Sequence, residues 1–412
     1  MATTRSRSAT ETSHSVTSFE NVPPKIEATR EPSLQDPGNH SRDHFKKRMS
    51  KTRFWIRDKM LRFTENQSDT LYAWQSRFRR DALDRYFGYT SLMGSHTFYV
   101  IMLPLPRWLG MSAASRDLVY VLGYSIYLSG YLKDYWCLPR PVSPPLTRVT
   151  LSGYTTKEYG APSSHTANAT SVAMLLAWYL YLYDEGSMIW KTVAMASILF
   201  YYLTLTLGRI YCGMHGILDI VTGAMVGAVC FAGRFCVHYY TSFDQASMHE
   251  WGWWFPVTSI SFGLFLLYFH AKPVDECPCF DDSVAFIGVI AGIECSDWLQ
   301  FHVNNPGTFQ TSYDFSTLGI RGTILRTFVG VSLVILWKSV IGKKVIFSVL
   351  NRLTTDDRHL YVVQHNDDKQ LPEISLFHGR SNTNLIGRFF LYAGVPAVVV
   401  LACPLAFRAL NL

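Results

Sequence analysis

The chain has 412 residues, 48% of them hydrophobic, 15% aromatic and only 17% charged, with a formal net charge of +7. An ordinary pair of soluble domains would leave too much of that apolar surface unburied, so most of the chain belongs in a bilayer. Much of the basic excess falls in residues 1–86 without a recognisable RNA- or DNA-binding module, which points to a membrane surface and away from nucleic acid.

The opening stretch, MATTRSRSATETSHSV, lacks the apolar core of a secretory signal, so the first span is expected to direct insertion. Residues 1–50, rich in Ser, Thr, Pro and charge, read as a disordered tail, and residues 51–86 as an amphipathic juxtamembrane segment. In KTRFWIRDKMLRF, Trp55, Ile56, Met60 and Phe63 alternate with Arg53, Arg57, Lys59 and Arg62. That is the pattern of a basic helix on anionic headgroups, or of a plain solvated helix.

A transmembrane helix needs about 20 mostly apolar residues, and roughly nine runs qualify. They lie near 88–106, 117–136, 166–183, 188–207, 216–236, 253–270, 283–299, 323–342 and 385–405. Two are weaker: Gly94-Ser95-His96 interrupts the first, and Glu294 with Asp297 the seventh, so a re-entrant or interfacial helix is the alternative for both. The fold class is therefore all-α: a polytopic transmembrane bundle with its core over 87–240, and further spans and a polar loop over 241–412. The polar stretch 351–384 reads as an ordered loop or regulatory surface. The eight cysteines are scattered, and Cys277-Pro278-Cys279 has neither CxxC spacing nor a second ligand pair, so neither zinc nor a disulfide framework is assigned.

Charge near a membrane is costly, which makes three polar clusters at span ends informative. Lys133 and Arg140 bracket the end of the second span, seven residues apart, before Pro141 turns the chain into a loop. In GAPSSHT, Pro162 ends that loop, Ser163 is placed to cap the next helix, and Ser164 and His165 fall in its first turn. A helix start with free N–H groups is a ready anion site. In GRIYCGMHGILD, Arg209 precedes His215, and Asp219 lies four residues after that histidine, on one face at a helix start. A carboxylate holding one ring nitrogen leaves the other as a lone pair, the arrangement that orients a nucleophile or base. Each cluster alone also fits a structural role: flanking charge, an N-cap, or a buried polar clasp.

With two spans before the first cluster and two between the second and third, all three share one membrane face. Three cations with amide donors suit a tetrahedral dianion such as a phosphate. His215, aligned by Asp219, is then the candidate nucleophile towards phosphorus, and His165 the acid for the leaving alkoxide. The pair requires opposite protonation states at once. The three cations already meet the charge and no carboxylate-histidine cage is evident, so metal-independent chemistry is expected, with no metal ligands and no cofactor.

Lys133-x6-Arg140-Pro141, Pro162-Ser163-x-His165 and Arg209-x5-His215-x3-Asp219 resemble, in order, the three signature motifs of the type 2 phosphatidic acid phosphatase superfamily. The resemblance implies a six-helix catalytic bundle, catalysis by His215, His165 and Asp219, and phosphate binding by Lys133, Arg140, Ser163, Ser164 and Arg209. Two positions depart from the family's usual wording: Ser164 stands where Gly is common, and Gly208 where Ser is common. KDYWCLPRP, EYGAPSSH and GRIYCGMHGILD, with extra spans after the core, are similar to the sphingoid long-chain base phosphate phosphatases of the endoplasmic reticulum. This implies a multi-pass membrane enzyme there, hydrolysing dihydrosphingosine, phytosphingosine or sphingosine 1-phosphate. Its partners would be that lipid phosphate and the bilayer; the pattern leaves homo-oligomerisation open. A phosphatase of phosphatidate or an isoprenyl diphosphate, or a non-enzymatic transporter, are the alternatives. For sidedness, the basic tail favours a cytosolic site and the resemblance a lumenal one, which is the reading adopted.

Overall fold

The computed structural model describes residues 25–26, 36–65, 67–153, 155–182, 186–241, 243, 248, 250–303, 309, 312–357 and 381–412. Most of the expected tail and most of the 351–384 stretch lie outside these. The described part of residues 1–50 is folded: β1 (Lys25–Ile26) pairs antiparallel with β2 (Val149–Thr150), and helix α1 (Arg42–Arg48) buries Phe45.

Three amphipathic helices follow, α2 (Lys51–Leu61), α3 (Gln67–Phe78) and α4 (Asp81–Thr90). α2 does not simply lie on headgroups. Trp55 points outward, but Arg57 is 2% exposed, stacks over the Phe45 ring at 3.6 Å and donates to the carbonyls of Gly38 and Cys137.

The first expected span, 88–106, is broken into a short 3-10 turn, α5 (His96–Met102) and α6 (Leu105–Trp108). Ser95 caps α5 by accepting the Phe98 N–H, and Pro104 cannot continue it, so no single helix forms. The other spans form helices: α7 (Ser112–Trp136), α8 (Ser164–Leu182), α9 (Met188–Tyr211), α10 (Ile217–Tyr240), α11 (Trp254–Tyr268), α12 (Cys279–His302), α13 (Phe315–Leu353), which is kinked at Gly319, and α14 (Asn382–Ala409). Among the described residues, five of these, α9, α10, α12, α13 and α14, are long and apolar enough to cross a membrane. α7, α8 and α11 pack beside them. α7 falls short in composition because of Arg116, Asp117, Lys133 and Asp134, and α11 in length, with 15 residues.

Intramembrane charges are paired across helices. Asp117 of α7 takes hydrogen bonds from Arg234 Nε and the Tyr179 hydroxyl, both at 2.7 Å. Asp297 of α12 accepts from Arg107 at 2.8 Å, and Glu294 from the Tyr120 hydroxyl at 2.9 Å. The two acids that weakened the seventh span are thus satisfied, and α12 is a full helix packed between α7, α11 and α14. Cys277 and Cys279 are joined by a disulfide, where none was assigned; the intervening Pro278 leaves their Cα atoms 5.5 Å apart.

One end of the bundle gathers the C-termini of α7 and α9 and the N-termini of α8 and α10. The helices α2 and α3 cap that same end. Arg53 donates to the Tyr135 carbonyl and the Gln75 amide to that of Tyr211, satisfying groups a helix end leaves open, and Gln75 also donates to the Thr147 carbonyl in the loop after α7. This shared end makes a topological prediction. A glycosylation-acceptor loop inserted at Gly153, where the surrounding space is open, is expected to be modified together with one placed before residue 25. One inserted at Ser187, between α8 and α9, is expected to give the opposite result. Opposite outcomes at the first two sites would refute the arrangement.

Candidate active site

Each cluster sits where a helix stops or starts. Lys133 lies in the last turn of α7, which ends at Cys137 in the left-handed conformation. Ser163 caps α8: its hydroxyl accepts from the Thr166 N–H at 3.4 Å and the Thr166 hydroxyl at 3.1 Å. That hydroxyl is turned inward, so the exposed part of the motif is Ser164 and His165. Asp219, in the first turn of α10, takes the Gly216 N–H at 2.9 Å and so tethers the helix start.

The structure brings the distant pieces together. His215 Nδ1 is 3.2 Å from Asp219 Oδ2, and its Nε2 is 3.1 Å from an Arg140 guanidinium nitrogen. Arginine can only donate, so Nε2 is the acceptor and Nδ1 carries the proton. Burial, then the neighbouring cations Arg140, Arg209 and Lys133, hold the His215 pKa well below the ordinary imidazole value. The ring therefore stays neutral as pH falls from 7 to 6. Arg140 also donates to the carbonyls of Met214, Thr155 and Glu158, tying the first motif to the third and to the loop that leads into the second. Its own burial pulls it down to about 10, with Glu158 opposing, so it remains a cation at neutral pH.

Glu158 was not singled out from sequence. Its carboxylate binds Lys133 and lies 3.6 Å from Arg140. An acid in a site for an anion carries no obvious sequence signal; only its place in the loop between the first two motifs would have flagged it.

His165, Ser164, Arg209 and Glu158 line one open cleft. His165 Nε2 is 3.2 Å from the Ser91 carbonyl, contributed by the broken first span. Arg209 is 3% exposed, and its Nε has no hydrogen-bond partner among the described residues. A buried cation without a partner is costly, and an anion in the cleft would relieve that cost. Gly208 explains one departure from the family wording: a Cβ there would sit 2.7 Å from the Phe87 ring, so α4 occupies the space of a serine side chain.

An anion in the cleft would meet the buried Arg209 guanidinium. Inorganic phosphate is expected to raise the melting temperature of the detergent-solubilised protein, and Arg209→Met to abolish the increase while leaving the phosphate-free melting temperature within a few degrees. A phosphate-dependent shift that survives in the variant would exclude Arg209 from the anion site.

A model of the PAP2 superfamily matches residues 114–243, the part of the chain that holds all three clusters. The chain is 51% identical over 383 residues to dihydrosphingosine 1-phosphate phosphatase YSR3 of Saccharomyces cerevisiae, covering 92% of this chain and 93% of that protein. It is 34% identical over 302 residues to a dihydrosphingosine 1-phosphate phosphatase of Schizosaccharomyces pombe, covering 72% and 71% of the two chains. With human sphingosine-1-phosphate phosphatase 2 the identity is 27% over 215 residues, or 52% and 51% of the two lengths. No solved structure matches. With the three motifs gathered at one end of the bundle, Ser164, His165 and Arg209 lining the cleft and Lys133, Arg140, His215 and Asp219 buried, and with identity extending over nearly the whole length of a relative, the chain belongs to the PAP2 superfamily.

Proposed function

We propose that this protein is a metal-independent lipid phosphate phosphatase that hydrolyses sphingoid long-chain base 1-phosphates through a phosphohistidine at His215. The observation that carries the chemistry is the His215 ring, with Nδ1 held by Asp219 and Nε2 presented as a lone pair beside Arg140. The substrate class is supported by the names of the relatives and the extent of identity with them. The site's place at helix ends adds that a headgroup can be held at the interface while the chain lies between helices.

In this reading the phosphate dianion draws the guanidinium of Arg140 onto its own oxygens, together with Lys133, Arg209 and the amides at the start of α8. Ser164 faces the cleft beside them, and Ser163 contributes by fixing the helix start. Release from Arg140 frees the Nε2 lone pair to attack phosphorus. The P–O bond to the lipid breaks as the P–N bond forms, and His165, protonated once the phosphate dianion offsets the surrounding cations, gives its proton to the departing alkoxide. Water, deprotonated by His165, then attacks phosphorus; the P–N bond breaks and inorganic phosphate leaves. Asp219 stabilises the charge that His215 gains at each step. Three fixed cations supply the charge stabilisation that a metal pair provides elsewhere.

The protein spans a membrane. We assign that membrane to the endoplasmic reticulum and the cleft to its lumenal face.

The test is phosphate release by purified protein in detergent with EDTA, given dihydrosphingosine 1-phosphate, phosphatidate and an isoprenyl diphosphate. Release from the sphingoid base phosphate is expected without added metal, falling by a factor of about 1,000 or more in His215→Ala. Release that requires metal, or that survives the substitution, would sink the mechanism. Release from phosphatidate alone would sink the substrate assignment.

A further inference from the structure

The superfamily match ends at residue 243, yet two charged side chains from beyond it line the same cleft: Asp282, in the first turn of α12, and Arg388, on α14. Their approach is built into the packing. Gly130 of α7, one turn before Lys133, also lines the cleft, and a Cβ on it would lie 2.7 Å from Ser283 Oγ and 3.3 Å from the Cys279 carbonyl. Only a glycine lets the first turn of α12 sit there, next to the helix that carries the phosphate-binding lysine. Asp282 is near enough for its charge to act on Lys133. Its carboxylate is 23% exposed and lies 4.0 Å from the Arg388 guanidinium, which also lies 3.7 Å from Asp281.

The cleft therefore has two poles. Arg209 lines the cationic side, and Lys133 and Arg140, both buried, adjoin it through Glu158, the other carboxylate in the lining, which is committed to them. Asp282 lines the cleft beside Arg388, within reach of the charge on Lys133, and adds negative charge to a cleft that otherwise suits a dianion alone. A phosphate ester of a sphingoid base is itself two-poled, because the carbon next to the esterified one bears an ammonium group. Phosphatidate and isoprenyl phosphates have no such cation.

We propose that Asp282 binds the ammonium group of the substrate, with Arg388 orienting its carboxylate, and that this contact selects sphingoid base phosphates over other lipid phosphates. The proposal rests on the substrate assignment made above for the same cleft. Recognition by a buried polar contact rejects analogues that lack the matching group far more strongly than shape alone.

The experiment compares kcat/KM for dihydrosphingosine 1-phosphate and for its N-acylated counterpart, whose nitrogen carries no charge, in wild type, Asp282→Asn and Asp282→Glu. In Asp282→Asn, kcat/KM for the free amine is expected to fall about 10-fold or more, mainly through KM, while that for the N-acyl lipid changes less than about threefold. Asp282→Glu is expected to recover part of the preference. The N-acyl activity also reports folding, so a misfolded variant is recognised by losing both. An equal fall on both lipids with the protein still monodisperse and thermally stable, or no fall on either, overturns the role of Asp282. Wild type that hydrolyses no sphingoid base phosphate overturns the substrate assignment, and this proposal with it.

Discussion

The hydrogen bond between Asp219 and His215 is the contact on which the site depends. It fixes the tautomer of the imidazole, and the same carboxylate oxygen takes the Gly216 N–H at the start of α10. One acid therefore sets both where the ring sits and where the helix behind it begins. Since Arg140 can only donate, its contact with Nε2 is compatible with a single protonation pattern. Burial among cations keeps that ring neutral, the state that the nucleophile role proposed for it requires.

Gathering several cations in a low-dielectric cleft is unfavourable unless each is compensated, and the fold does so in graded fashion. Glu158 neutralises part of the charge on Lys133 and Arg140, and the backbone carbonyls of Thr155, Glu158 and Met214 take further donors of Arg140. Arg209 keeps a donor, its Nε, without a partner among the described residues. The graded pairing keeps the cluster stable when empty and leaves attraction for an anion. The N-terminal helices contribute from outside the bundle: Arg53, Arg57 and Gln75 satisfy the carbonyls at the ends of α7 and α9, where Lys133 and Arg209 are carried.

The residues of the three motifs were legible in sequence because their spacing places them at helix ends on one face, and because charge at such places needs a reason. The all-α membrane architecture followed from apolar run length. What escaped was everything decided by partners far away in the chain. Glu294 and Asp297 made α12 look doubtful, since nothing local reveals that Tyr120 and Arg107 satisfy them. The basic face of α2 suggested headgroups, whereas part of it is consumed by the carbonyls at the end of α7. The first span failed through local chemistry, a Ser cap and a Pro break, that average hydropathy conceals. Asp282 and Arg388 enter the cleft only because Gly130 admits α12 beside α7, a tertiary fact that composition does not carry.

The central claim is that His215 forms a covalent bond to phosphorus. Rapid quenching in alkali of the enzyme mixed with radiolabelled dihydrosphingosine 1-phosphate tests it directly. Label is expected on the peptide containing His215, stable to alkali and released by acid. Turnover with no label on that peptide when the chemical step is fast, or label held in an alkali-labile linkage on another residue, would contradict the account.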